Sequence, residues 1–452
     1  MFKTINMTDN LYKNKFINNF NPEKFGFYCF LSAVFFLASA AGISIILFLI
    51  ALLISLLNPH KLLKDKWNYP LLLSAFLMIL STLVHLLRNE YYLYLGIDPK
   101  LSLIGLFNWL PLFLCFWGFQ KYLNCPKKRL ITSKLLICGS IPVIFSGVLQ
   151  LLNINGPFEL FNGLIVWFQK PLQELGSISG LFNNQNYAGL WMALVWPFCL
   201  SGLISPKKNI LKKIILLIIC ILFITFIFLT DSRNAILGLI ISSSIVLGKA
   251  NLFWYLPTVL LGFSLLALTV IPIFPNEIKI YMESIIPKRI YTLFPEIGFN
   301  NINSYPRVNK WISSLSFIYK NPLFGWGAAS FPVLYHLKSG EWFGHAHNLP
   351  FELAISYGIL PALIIFSFYV YLLYLSFKKI SLFSKQNKSS MSYFFNHKAW
   401  FSASLIFLLS HLVDIQYFDA RISILCWIYL AGLRCFLRED LGSKLYNETK
   451  II

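Results

Sequence analysis

Two histidines stand two residues apart in the segment His345-Ala346-His347-Asn348, and theirs is the chemistry most readily used near neutral pH. Imidazole takes up and releases protons in that range, so a histidine at a helix mouth suits general-base work. A metal pair is the other use of such spacing. Residues two apart, however, point to opposite faces of a helix or to one face of a strand. With Glu341 as the only further ligand type obvious nearby, no metal site is expected. Arg233 and Arg307 carry guanidinium groups, which hold oxyanions by bidentate contact. An isolated arginine at a helix end equally serves as an interfacial anchor. Asn183, Asn186, Asp231, Trp311 and Asp414 are further polar or amphipathic residues beside long apolar runs. Each has an ordinary structural use: Asn186 as a helix cap, Trp311 and Trp326 as interface anchors. Gly325 and Gly327 flank Trp326 in a turn that would let backbone approach a ligand closely, or that is simply a loop.

The elements that must position these residues are set by composition. Of 452 residues, 57% are hydrophobic and 12% charged, and the mean hydropathy is +0.66, too little polar surface to cover a soluble globule of this size. Apolar runs near the bilayer-spanning length of roughly 20 residues recur along the whole chain. The reading is a single integral membrane domain over 1–452. Its first apolar run, continuing to about Leu57, is too long for a signal-peptide core and is expected to be retained. The 38 Lys and Arg against 18 Asp and Glu would suggest nucleic acid in a soluble protein. Here they are explained by cytoplasmic loops beside anionic membrane lipids. The eight cysteines fall in apolar runs or beside basic loops, so no disulfide framework is expected.

Basic clusters then serve as stakes for cytoplasmic ends. Lys3, Lys13, Lys15 and Lys24 on one side and His60 to Lys66 on the other make Phe27 to Leu57 a tight hairpin, broken near Ala41-Gly42. Tyr69 to Leu87 goes out, Leu103 to Tyr122 returns to Lys127, Lys128 and Arg129, and Leu130 to Leu152 exits. Asn186 to Ile204, Ile214 to Thr230, Ile236 to Gly248 and Leu252 to Ile273 follow. After an external loop, a helix from about Leu349 to Phe377 reaches Lys378 and Lys379, and Ala399 to Leu412 and Ile422 to Leu437 complete the path. Parity closes at about twelve transmembrane helices in an all-α polytopic membrane protein, with both ends inside. One large extracytoplasmic loop, 274–346, lies between the ninth and tenth spans. The unusual polar residues all collect on the external face, which marks a functional site.

Four segments carry a resemblance. "SGLFNNQNYAGL" at 179–190, "TDSRNAILGL" at 230–239, "YPRVNKWISSLSFIYKNPLFGWGAASF" at 305–331 and "HAHNLPFELAISYGILPALI" at 345–364 occur in this order. Together they closely resemble the O-antigen ligase and polymerase superfamily. Gln185 departs from the pattern, which commonly has Pro between the asparagines. The resemblance implies glycan transfer at the periplasmic face of the bacterial cytoplasmic (inner) membrane. The donor would be a polyprenyl diphosphate-linked glycan and the acceptor the hydroxyl of lipid A core or of a growing glycan, in an inverting, metal-independent reaction with no cofactor and no nucleic acid. It implies His347 as base with His345 second. Arg233 and Arg307 would hold the diphosphate, and Asn183, Asn186, Trp311, Gly325, Gly327 and Asn348 would line the substrate site. A ligase is expected first, an O-antigen or exopolysaccharide polymerase is the alternative, and a small-anion transporter is the rival from a different class, disfavoured because no inverted repeat is evident.

Overall fold

The computed structural model describes residues 21–57, 60–163, 165–172, 176–206, 209–248, 275–285, 306–386 and 391–439, together with 253–264 apart from 254, 258 and 263. Almost everything described is helical. Lipid offers no partners to backbone N–H and C=O groups, and a helix satisfies them within its own segment. The helices are α1 (Pro22–Phe36), α2 (Ala41–Leu56), α3 (Tyr69–Leu87), α4 (Lys100–Gly105), α5 (Leu110–Gly118) and α6 (Pro126–Leu151). A small antiparallel hairpin, β1 (Phe158–Leu160) with β2 (Ile165–Trp167), precedes α7 (Gln185–Ile204), α8 (Ile210–Leu229) and α9 (Arg233–Leu247). Then come α10 (Asn276–Ile285), α11 (Pro306–Lys320), α12 (Ser330–Ser339), α13 (Leu349–Tyr357), α14 (Ile359–Gln386), α15 (Met391–His411) and α16 (Ala420–Arg438).

Among the described residues seven helices are long and apolar enough to cross a membrane, and α2 and α9 are shorter apolar helices. The chain is therefore a multi-pass membrane protein. The expected span Leu252 to Ile273 lies largely outside the described residues, as does much of loop 274–346, whose described parts are α10, α11 and α12. The expected span Leu103 to Tyr122 corresponds to one of these seven, the continuous run Lys100–Gly118 made of α4, a 3-10 turn at Leu106–Asn108 and α5. One expectation is corrected. The helix from Leu349 to Phe377 is interrupted at Gly358, which sits at φ 96°. The cause is tertiary. Loop 321–327 folds onto the end of α13, where the backbone N–H groups of Trp326 and Gly327 donate to Ile355 O (2.6 Å) and Ser356 O (3.0 Å), and Ile359 N–H donates to Pro322 O (2.8 Å). A helix end leaves its last carbonyls without partners, and this loop supplies them.

Helix α7 forms the centre, with 78% of its apolar window buried, whereas α8, at 22%, faces lipid. Buried indoles around the centre each find an oxygen: Trp191 donates to Ser140 Oγ (2.9 Å), Trp400 to Ser133 Oγ (3.1 Å) and Trp427 to the Tyr417 hydroxyl (3.0 Å). One end of the bundle carries a group of ion pairs built on Asp65 and Glu439. Asp65 holds Arg434 at 3.0 Å and also Arg438, Arg129 meets Glu439 at 2.6 Å, and Lys379 donates to the last carbonyls of α16, Phe436 O at 2.8 Å and Leu437 O at 2.9 Å. The opposite end gathers the starts of α7, α9, α13 and α16 and the end of α15. There His345, His347, Trp311 and Asp414 are joined by hydrogen bonds.

Candidate functional site

The site is built on the turn that opens α13. Asn348 caps that helix, its Oδ1 accepting from Phe351 N–H (3.0 Å) while its Nδ2 donates to Leu412 O (2.9 Å) on the far side. Glu352, buried one turn into the helix, reaches back and accepts from Ala346 N–H (2.9 Å). His347 is thereby forced into the left-handed region at φ 53°, an uncommon conformation outside glycine that surrounding contacts must hold. His345 supplies one such contact, its Nδ1 accepting the His347 N–H at 3.2 Å. Trp311 supplies another, its Nε1 donating to His347 O at 3.4 Å.

The His347 side chain meets Asp414, from the loop joining α15 to α16, with Nδ1 2.8 Å from Oδ1. Asp414 is itself fixed: Oδ1 also accepts from Ile415 N–H (3.0 Å) and Oδ2 from Gln416 Nε2 (2.8 Å). Burial pushes Asp414 up, but the His347 hydrogen bond and charge, the Ile415 N–H and the Arg307 guanidinium outweigh it, and its carboxyl stays below the usual range. The carboxylate therefore accepts from Nδ1–H and leaves Nε2 as the basic nitrogen. Burial, then the neighbouring His347 charge, pushes His345 down to about 4. His345 thus stays neutral, with its Nδ1 accepting from backbone.

Arg307, Lys310 and Trp311 share one face of α11, three and four residues apart. Lys310 is 3% exposed, with its Nζ 3.4 Å above the Phe343 ring. Burial first, and then Arg307, lowers its pKa, while Glu341 and Asp414 act in the other direction. Sequence reading missed Lys310; its position one turn after Arg307 was the available signal. Arg233, the first residue of α9, is exposed like Arg307, and the two guanidinium charges act on each other. Like charges near one another are unfavourable, and an oxyanion between them would relieve the repulsion by bidentate contact.

Other expected residues go elsewhere. The cap of α7 is Asn184, whose Oδ1 accepts from Asn186 N–H at 2.8 Å, so the capping reading of Asn186 is corrected. Asn183 lines a separate cleft with Arg421. The close backbone approach made by Gly325 and Gly327 is to protein, not to a ligand-facing surface: a Cβ on Gly325 would lie 2.5 Å from Ile355 O, and one on Gly327 2.6 Å from Ser102 Oγ.

His345, His347 and Asp414 each offer a ligand atom within 4.8 Å of the others. Asp414 supplies the third group that the sequence did not bring near. Yet His345 Nδ1 and both Asp414 oxygens are spent on internal hydrogen bonds, and Arg307 and Lys310 add positive charge alongside. The residues fit an oriented imidazole beside an anion cradle better than a cation centre.

None of the curated proteins matches the chain. Residues 218–367 match the family model described as O-Antigen ligase. The matched stretch contains Arg233, Arg307, Trp311, Gly325, Gly327, His345, His347 and Asn348, and it ends before Asp414.

Proposed function

We propose, from the premise that residues 218–367 carry the O-antigen ligase superfamily signature, that the chain transfers a glycan from a polyprenyl diphosphate to an acceptor hydroxyl. The observation that carries this reading is the 2.8 Å contact between His347 Nδ1 and Asp414, set beside the facing Arg233 and Arg307. The acceptor oxygen attacks the anomeric carbon, and its proton passes to His347 Nε2. The bond from that carbon to the diphosphate oxygen breaks on the opposite face, inverting the centre. Diphosphate is already a good leaving group, so it needs charge neutralisation more than a proton, and the arginines supply it. Asp414 holds the imidazole in the productive tautomer and stabilises the imidazolium that forms.

The site end is the periplasmic face of the bacterial inner membrane, because the basic clusters occupy the opposite end. Transfer of a finished glycan to lipid A core is the first reading, and addition of repeat units to a growing lipid-linked chain is the second. Deleting the gene and analysing surface glycan together with lipid-linked intermediates separates them. Accumulated lipid-linked polymer is the expected result for a ligase, and accumulated single repeat units identify a polymerase. Unchanged surface glycan and unchanged intermediates would refute transfer altogether.

A further inference from the structure

We propose that the cleft between the β-hairpin and the α1–α2 turn is a carbohydrate subsite that holds neutral sugar residues of the acceptor glycan. The inference rests on the transfer reading above and adds the location of the acceptor side. The cleft has a volume of about 370 Å³, inside the range of roughly 300–1,000 Å³ usual for small-molecule sites. It is walled by residues 38–43, by 165–168 of the hairpin, and by Leu181, Asn183 and Arg421.

Its chemistry suits a polyol. Trp167 is pinned because its Nε1 donates to Ser39 O at 2.9 Å; the polar edge of the indole is spent and a flat apolar face remains. Phe168 beside it is 71% exposed, a large aromatic left uncovered at the polar end of the bundle. Rings of this kind offer surface to the C–H face of a sugar. Exposed Asn183 brings an amide able both to donate and to accept. Helix α2 starts at Ala41, and its N-cap residue Ala40 gives no side-chain cap, so its first amides remain available as donors. A Cβ added at Gly42 would meet nothing within 4 Å, so the space above this turn is open.

Charge argues against an anionic occupant. Among the described residues Arg421 is the one charged member of the lining, and it is compensated by Asp419 through Nε to Oδ1 (2.8 Å) and Nη2 to Oδ2 (2.5 Å). Its Nη1 donates to Leu181 O at 2.9 Å, and the guanidinium lies 3.7 Å over the Phe182 ring. It is a rigid, neutralised set of donors, unlike the facing Arg233 and Arg307. One loop serves both places: Asp414, which holds His347, and Asp419, which holds Arg421 of the lining, both belong to the segment that joins α15 to α16.

The test is photo-cross-linking in cells that make the native glycan, with p-benzoylphenylalanine placed at Phe168 and, as a control, at Phe161, which is 77% exposed and outside the lining. A glycan-bearing adduct at position 168, at least about tenfold stronger than at 161, is expected. Phe168→Ala and Asn183→Ala should each raise the acceptor KM about tenfold, the effect of losing one good contact, with the donor KM unchanged. An active protein with no glycan adduct at 168, or with a phospholipid adduct there instead, overturns the subsite. A glycan adduct at 168 in the substituted protein, when the wild type itself transfers nothing, supports the cleft as a glycan site and counts against the transfer reading, so the two failures are distinguishable.

Discussion

His347 combines a left-handed backbone at φ 53° with a side chain whose Nδ1 is tied to the buried Asp414 carboxylate at 2.8 Å. Removing the imidazole as His347→Ala should lower transfer by about 10²–10⁴-fold, the usual contribution of a positioned base. Asp414→Asn keeps the shape but presents an amide able to favour the wrong tautomer, and a loss of similar order is expected in the same assay. Asp414 also carries a pH signature. Its folded pKa is depressed, so the stability it contributes is present above the unfolded carboxyl value of about 3.9 and is lost as pH falls through the folded value. Thermal melts should therefore show Asp414→Asn destabilised by about 1–3 kcal/mol at neutral pH. The wild type and the variant should converge as pH falls through the depressed folded value of Asp414, where both side chains are uncharged. Lys310 lies beside this pair with its charge held below the ordinary lysine range by burial and by Arg307. Lys310→Met should raise the donor KM about tenfold, while Lys310→Arg keeps the charge and restores much of the binding.

The break between α13 and α14 depends on one backbone position. A Cβ on Gly358 would lie 2.0 Å from Leu323 O, at φ 96°. Gly358→Ala should cost at least about 2 kcal/mol and displace the histidine turn with it. Gly42→Ala, which meets nothing within 4 Å, should leave the melting temperature unchanged or slightly raised. The two variants measured side by side check that the clamp, and not glycine content, sets the geometry. This is also where the limit of sequence reading lies. Ser356-Tyr357-Gly358-Ile359 sits within one apolar run, and the helix is broken by carbonyl partners from residues 322–327, a contact that no local pattern contains. Asn183, Asn184 and Asn186 are chemically equal candidates for the cap of α7, and only the folded backbone selects Asn184. Asp414, noticed as an unusual polar residue, lies 67 positions beyond His347, so its partnership was not readable from spacing. The long runs of α3, α6, α7 and α8 were readable to within a few residues, because lipid leaves the backbone little choice.

Across the whole molecule, charge separates the two ends. Arg129, Lys379, Arg434 and Arg438 are gathered at one end, and His347, Asp414 and Arg421 at the other. Parity of the basic clusters leads to the expectation of polar residues at the end away from those clusters, and the pairing of Asp65 with α16 was not visible in it. If the basic end is cytoplasmic, a cysteine at Gly344 reacts with a membrane-impermeant thiol reagent in cells whose outer membrane has been permeabilised, and one at Lys378 reacts only after lysis; the reverse pattern would invert the topology. The most direct measurement of the central claim is single-turnover transfer by the purified, lipid-reconstituted protein, given a polyprenyl diphosphate-linked glycan and its acceptor, in wild type, His347→Ala and Arg307→Ala. Wild type should release polyprenyl diphosphate in step with acceptor glycosylation, and both variants should fold and insert yet fall by at least about 10²-fold. Full transfer by the His347→Ala protein would contradict the account.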